Sequence, residues 1–204
     1  MAKVRILFVR HGESEGNLTG TFYDDPMGGL TERGKEQARK IGERLKEEFP
    51  LGLHTVYCST WNRARQTCQI ALGRAGLLDG QKISYDGNLR ERSFVGLVGK
   101  KVGSVSSEEA ISEKEYRMIW TAGSSQSDKF GIENLLSLKK RIQRFLDKIA
   151  EEHPGEKILV ISHAGVGLMM KALCEGWPED GWFNPEDFLG LGETAEWEYE
   201  TDLA

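Results

Sequence analysis

The chain has 204 residues, 39% hydrophobic and 29% charged, with a formal net charge of −5 at pH 7. That length suits one sizeable core, and the acidic balance excludes the basic footprint of a nucleic-acid binder. No apolar run approaches a membrane span, and Ile6 to Val9 is too short for a signal peptide, so a cytoplasmic protein is expected. Cys58, Cys68 and Cys174 are odd in number and form no CxxC pair; they read as buried thiols in a reducing compartment.

Ile6 to Val9 predicts a buried strand that stops at Arg10-His11-Gly12. Gly12 lets the backbone turn, and Ser14 and Asn17 offer short polar groups to the turn or to a bound anion. Residues 18–29, with Pro26, predict a loop in which Asp24 and Asp25 are turn residues rather than metal ligands. Thr31 caps a helix over Glu32 to Phe49 with Ala38, Ile41 and Leu45 on one face, ended by Pro50 and Gly52. Thr55 to Cys58 is a strand ending at Ser59, Thr60 to Gly73 a helix, and Lys82 to Tyr85 a weak strand. Leu89 to Gly103 predicts a loop and Ser107 to Trp120 a helix, while the Ser/Gly-rich Thr121 to Asp128 predicts a flexible lid.

Asn134 caps a helix reaching His153, stopped by Pro154-Gly155. Lys157 to Ile161 is the clearest strand; it ends at Ser162-His163-Ala164-Gly165, and Val166 to Cys174 resumes as a helix. Residues 177–192 predict an aromatic loop in which Trp177, Trp182 and Phe183 pack, and Thr194 to Tyr199 alternates as a last edge strand. His54, His153 and Arg65 read as surface residues. No repeat or linker interrupts the chain. The expectation is one α/β domain over residues 1–204. Its form is a three-layer sandwich with a mostly parallel central sheet, helices on both faces and an antiparallel edge strand.

Three of these strands end in Arg10-His11, in Ser59 with Arg63 beyond it, and in Ser162-His163. As parallel neighbours they would gather two histidines and two arginines at one sheet edge, where α/β proteins bind ligands. Arg10 and Arg63 can grip a phosphoryl group through forked donors. Arg63 lies in a first helical turn, whose free N–H groups also favour an anion. Neutral His11 can attack phosphorus, and His163, if protonated, can stabilise the equatorial oxygens. A leaving alkoxide needs an acid; Glu91 and Glu13 both qualify, and spacing does not choose between them.

These segments resemble the histidine phosphatase superfamily, which includes the cofactor-dependent phosphoglycerate mutases. The carrying blocks are Arg10-His11-Gly12 with Ser14 and Asn17, and Leu30 to Gly34 with Gln37-Ala38. Ser59, Arg63-Ala64 and Gln66-Thr67 follow, then Leu89 to Arg92 with Gly96 and Gly99-Lys100, and Ser162-His163 with Gly165. The resemblance implies that His11 is phosphorylated and that Glu91 is the acid. It also implies a phosphate pocket of Arg10, Arg63, His163, Asn17 and the Ala164 N–H. Ser14 and Arg92 are expected to contact the substrate. No metal and no cofactor are implied. Ala164 and Val95 stand where the family usually has glycine. A phosphomonoester hydrolase acting on a small phosphorylated metabolite is expected, since the chain between Gly99 and Glu133 is short and a mobile 121–128 segment would admit water. A phosphoglycerate mutase and a non-catalytic binding module are the alternatives. Neither nucleic acid nor a membrane is an expected partner, and a homodimer is left open.

Overall fold

A computed structural model describes residues 2–49, 55–103, 106–121, 125–178, 183 and 185–201. In chain order its elements begin with β1 (Lys3–Arg10), α1 (Glu15–Leu18), α2 (Glu32–Glu48), β2 (Val56–Ser59), α3 (Asn62–Ala75) and β3 (Ile83–Asp86). A middle section follows: β4 (Lys101–Gly103), β5 (Ala110–Ser112), α4 (Glu113–Met118) and α5 (Ser125–Lys129). The chain returns to the main sheet through α6 (Leu135–Glu152), β6 (Lys157–Ser162), α7 (Ala164–Cys174) and β7 (Thr194–Glu200).

The main sheet has the order β3-β2-β6-β1-β7. Its strands are parallel except β7, which runs antiparallel on the edge beside β1. Strands buried on both faces read as continuous apolar runs, and β1 and β6 do so for that reason. Leu7, Val9, Leu159 and Ile161 pack on Ile41, Leu45, Cys68 and Leu72 from α2 and α3. Ile6, Phe8, Ile158 and Val160 face the other way, into Leu138, Ile142, Phe145 and Met170 from α6 and α7. β2, β6 and β1 are adjacent and parallel, so their carboxyl ends share one edge, as the sequence implied.

The Thr31 hydroxyl accepts from the Gly34 N–H at 3.0 Å, and the Asn134 side chain accepts from the Ser137 N–H at 2.8 Å. Both predicted caps therefore act as caps. The middle section differs from the sequence expectation. Ala110 to Ser112 pairs with β4 as a two-stranded sheet. The Ser112 hydroxyl then caps α4 by accepting from the Glu115 N–H at 3.2 Å, while Glu115 reaches back to the Ser112 N–H. That reciprocal cap starts the helix at Glu113 and not at Ser107. The flexible-lid expectation for residues 121–128 also needs correction. Residues 122–124 lie outside the described residues, and Ser125–Lys129 is helical, with Ser127 buried and accepting from Arg92.

His153 is half-buried, with Nε2 3.1 Å from the Tyr57 hydroxyl, rather than a free surface residue; His54 lies outside the described residues. Trp177 stacks on Phe183 as packed-loop residues, and Trp182 lies outside the described residues. Among the described residues no helix is long and apolar enough to cross a membrane.

Candidate active site

His11 follows the last residue of β1, and its N–H extends the ladder by donating to the Ser162 carbonyl at 3.0 Å. The turn behind it is tightly crossed by the start of α2. A Cβ on Gly12 would lie 2.4 Å from the Gly34 carbonyl oxygen, and one on Gly34 1.9 Å from that of Glu13. Both glycines are thus required by close backbone approach, since neither has a positive φ. Side chains from α2 and α3 stitch the crossing together. Gln37 accepts from the Glu13 N–H at 2.7 Å, Gln66 from the Leu30 N–H at 2.7 Å, and Thr67 from the Gly12 N–H at 3.1 Å.

The His11 ring is buried. Its Nδ1 lies 2.7 Å from the Gly12 carbonyl oxygen, which can only accept, so the neutral ring carries its proton on Nδ1. The Nε2 lone pair is left to face the Arg63 Nε–H at 3.0 Å. Burial, then the Arg63 cation, hold His11 well below the usual histidine pKa. It is a neutral imidazole with its unprotonated nitrogen presented to a guanidinium, which suits a nucleophile toward an anion.

His163 follows the last residue of β6 and occupies the N-cap position of α7 without a side-chain capping bond. Its ring meets that of His11 edge-on at 5.0 Å, and its Nε2 lies 2.8 Å from the Ser59 hydroxyl. Burial first, then Arg63, hold it well below the usual histidine pKa, which favours the neutral ring over the protonated form considered from sequence. An arriving phosphoryl dianion would oppose those two causes. His163 Nδ1 and Arg10 Nε are both buried without a protein partner, which is costly unless a ligand supplies the acceptor.

Acid should therefore destabilise the fold through these two residues. The unfolded chain binds protons near pH 6.5 while the native histidines do not, so stability is complete above that pH. Below it, stability falls by at most about 1.4 kcal/mol per pH unit for each histidine, down to its native pKa. Urea midpoints measured from pH 7 to 5.5 should fall less steeply for the His11→Gln/His163→Gln double variant. An equal slope would show that both rings titrate normally in the native protein.

Arg10, His11, Ser14, Asn17, Arg63, Glu91, Ala164 and Gly165 line one cavity of about 290 Å³. Ser14 directs both its N–H (2.9 Å) and its hydroxyl (2.8 Å) to Asn17 Oδ1. The Asn17 amide nitrogen is thus the end left for a ligand, and Ser14 orients it. Glu91 accepts from the Gly165 N–H at 3.1 Å and the Arg92 N–H at 2.8 Å. Gly165 leaves room for that carboxylate, which would lie 2.7 Å from a Cβ there. Geometry separates the two candidate acids: Glu13 turns to α2, taking the Thr31 hydroxyl at 2.8 Å, while Glu91 lines the cavity. Of the apolar residues that follow in its loop, Phe94 lines the cavity and Val95 is exposed.

Arg92 corrects its expectation. Its side chain is fully buried and points away from the cavity lining, and its Nε–H donates to the Glu133 carbonyl at 2.7 Å. The guanidinium lies over the Trp120 ring at 4.5 Å, and burial pushes its pKa down to about 10. It braces the wall behind the cavity rather than meeting substrate.

Arg141, which spacing did not reveal, supports the Glu91 loop together with Glu133. Arg141 on α6 is paired with Glu133 at 2.7 and 2.9 Å. It also donates to the carbonyls of Asn88 and of Glu91, before and within the loop. It is a positioning residue. Arg141→Gln should lower kcat on alkyl phosphates about 10- to 100-fold, as small misplacements of catalytic groups do. The fall on nitrophenyl phosphate should be much smaller. Equal losses on both esters would mean that the clamp holds the fold and not the acid.

A buried histidine facing an arginine, at the carboxyl edge of a mostly parallel sheet, places this chain among α/β proteins with a cationic cleft at the strand ends. The chain belongs to the histidine phosphatase superfamily (branch 1), whose family model matches residues 6–194. It is 34% identical over 163 residues to a metal-independent phosphoserine phosphatase of Arabidopsis thaliana, covering 79% of this chain and 64% of that protein. It is 32% identical over 162 residues to phosphoglycerate mutase-like protein 4 of the same plant, covering 79% and 66%. The matched part thus spans about two thirds of these relatives' length. Among solved structures, mycobacterial hydrolase 1 shares the fold with a TM-score of 0.78 at 18% identity, over 96% of this chain and 92% of that one.

Proposed function

We propose that the protein hydrolyses small phosphomonoesters through a phosphohistidine on His11. One observation carries this reading: the His11 Nε2 lone pair, freed by the Nδ1–Gly12 contact, lies against Arg63 in the cavity that Glu91 also lines. Arg10, Arg63, His163, Asn17 and the Ala164 N–H would hold the three non-bridging oxygens. His11 Nε2 attacks phosphorus as the ester P–O bond breaks, and the Glu91 carboxyl gives its proton to the departing alkoxide. Water then attacks phosphorus, the P–N bond breaks, Glu91 takes the water proton, and phosphate leaves with His11 neutral again. Reduced, buried Cys58 and Cys68 suit a cytoplasmic setting.

Hydrolysis is favoured over phosphoglycerate isomerisation by the charges of the cavity. Its lining cations, Arg10 and Arg63, both gather round His11, whereas a mutase must also grip the second anionic group of its bisphosphorylated intermediate. The test supplies 3-phosphoglycerate with catalytic 2,3-bisphosphoglycerate and follows free phosphate and 2-phosphoglycerate together. Phosphate should form faster. Isomer outrunning phosphate would promote the mutase reading.

A further inference from the structure

We propose that the preferred substrate is the monophosphate of a small aromatic alcohol, an ester with one anionic end and a flat apolar remainder. This rests on the hydrolase reading and adds what lies beyond the phosphoryl group. About 290 Å³ is at the small end for ligand cavities, so little more than one ring fits beside the phosphoryl site.

The lining divides by chemistry. Arg10, His11, Arg63 and Glu91 gather at the phosphoryl end. Six aromatic residues, Phe22, Tyr23, Phe94, Tyr116, Trp120 and Phe188, make the largest part of the remaining wall, with Gly16 and Thr21 beside them. All but Tyr23 form one packed run. These rings touch in series: Tyr116 to Phe22 at 6.1 Å, Phe22 to Phe94 at 5.4 Å, Phe94 to Trp120 at 5.9 Å and Trp120 to Phe188 at 4.9 Å. Such separations are those of mutually packed aromatic rings, and a substrate ring would extend the same packing. The wall is also preformed. Trp120 is 3% exposed, backed by the buried Arg92 guanidinium, and its carbonyl accepts from the Phe183 N–H.

Among the described residues the cavity lining carries no cation besides Arg10 and Arg63, and the Arg92 guanidinium lies behind the Trp120 and Phe94 rings, donating to the Glu133 carbonyl and the Ser127 hydroxyl. Of the lysines near the cavity, Lys100 donates to the Glu108 carbonyl and Lys129 pairs with Glu115, while Lys101 lines a neighbouring cleft on the far side of Phe22 and Tyr116 and not this cavity. The residues outside the described set include no Lys or Arg. Asp24 sits behind Phe94, accepting its N–H at 2.9 Å, and Asp25 accepts the Tyr23 hydroxyl at 2.8 Å. Carboxylates at both places would repel an anionic substituent, while a ring pays no such cost.

The test compares three esters that all leave as primary alkoxides: 2-phenylethyl phosphate, ethyl phosphate and 3-phosphoglycerate. The phenylethyl ester should exceed each of the others at least about tenfold in kcat/KM, the gain expected from burying one ring. Phe22→Ala and Phe188→Ala, both at half-buried positions, should shrink that ratio. A preference for 3-phosphoglycerate, or equal rates on all three, would overturn the proposal. Binding of 3-phenylpropylphosphonate and 3-phosphonopropionate by calorimetry decides the same question without turnover. If no ester is hydrolysed, the hydrolase reading fails. The phosphonate ratio still judges the aromatic wall: tighter binding of the phenyl compound supports it, and equal or weaker binding rejects it.

Discussion

His11→Gln is expected to lower kcat on any phosphomonoester by about 10⁴-fold or more, the scale on which enzymes lose a covalent nucleophile. Glutamine approximates the size of the ring and offers an oxygen to the Arg63 Nε–H, but it has no lone pair able to form a stable bond to phosphorus. The anion cradle of Arg10, Arg63, His163 and Asn17 remains, so inorganic phosphate or vanadate should still bind within about tenfold of the parent. Kinetics and anion binding measured on the same preparation separate chemistry from folding. A variant that retains parental turnover would move the nucleophile elsewhere.

Glu91→Gln should split substrates by leaving group. The amide keeps an oxygen for the Gly165 and Arg92 N–H groups, so the loop is retained, but it can neither give nor take the proton. Loss of a positioned acid costs typically 10²- to 10⁴-fold where the leaving group needs protonation. An alkyl phosphate should suffer that loss in forming the phosphoenzyme. Nitrophenyl phosphate needs little help to depart, so the variant should release a burst of nitrophenol and then stall, because water attack has lost its base. No burst, with equal losses on both esters, would remove Glu91 from proton transfer.

Much of the site was legible because it sits where regular structure forces it. A strand of four apolar residues must end, and whatever follows it in a parallel sheet lands on the ligand edge; Arg10, His11, Ser59 and His163 are such residues. Thr31 and Asn134 announce their helices by capping chemistry that depends on neighbours three residues away. Arg92 was misread because a loop spacing says nothing of which way a side chain turns, and burial against Trp120 and Ser127 decided that. The capping box at Ser112 and Glu115 is legible in the sequence and starts the helix at Glu113 rather than at Ser107. The choice of Glu91 over Glu13 needed the third dimension, as did the aromatic wall. Phe22, Phe94, Tyr116, Trp120 and Phe188 come from four separated stretches with no common period. Arg141 was hidden for the same reason: its partners at Asn88, Glu91 and Glu133 lie 53, 50 and 8 residues away.

The central claim is that the phosphoryl group passes through His11 on its way to water. Rapid mixing with an ester labelled in its phosphoryl group, quenched in alkali within the first turnover, tests it most directly. The account predicts label on the peptide containing His11, stable to base, lost in acid, and absent from His11→Gln. Label that survives acid on a serine or aspartate peptide, or turnover with no labelled enzyme at any quench time, would contradict it.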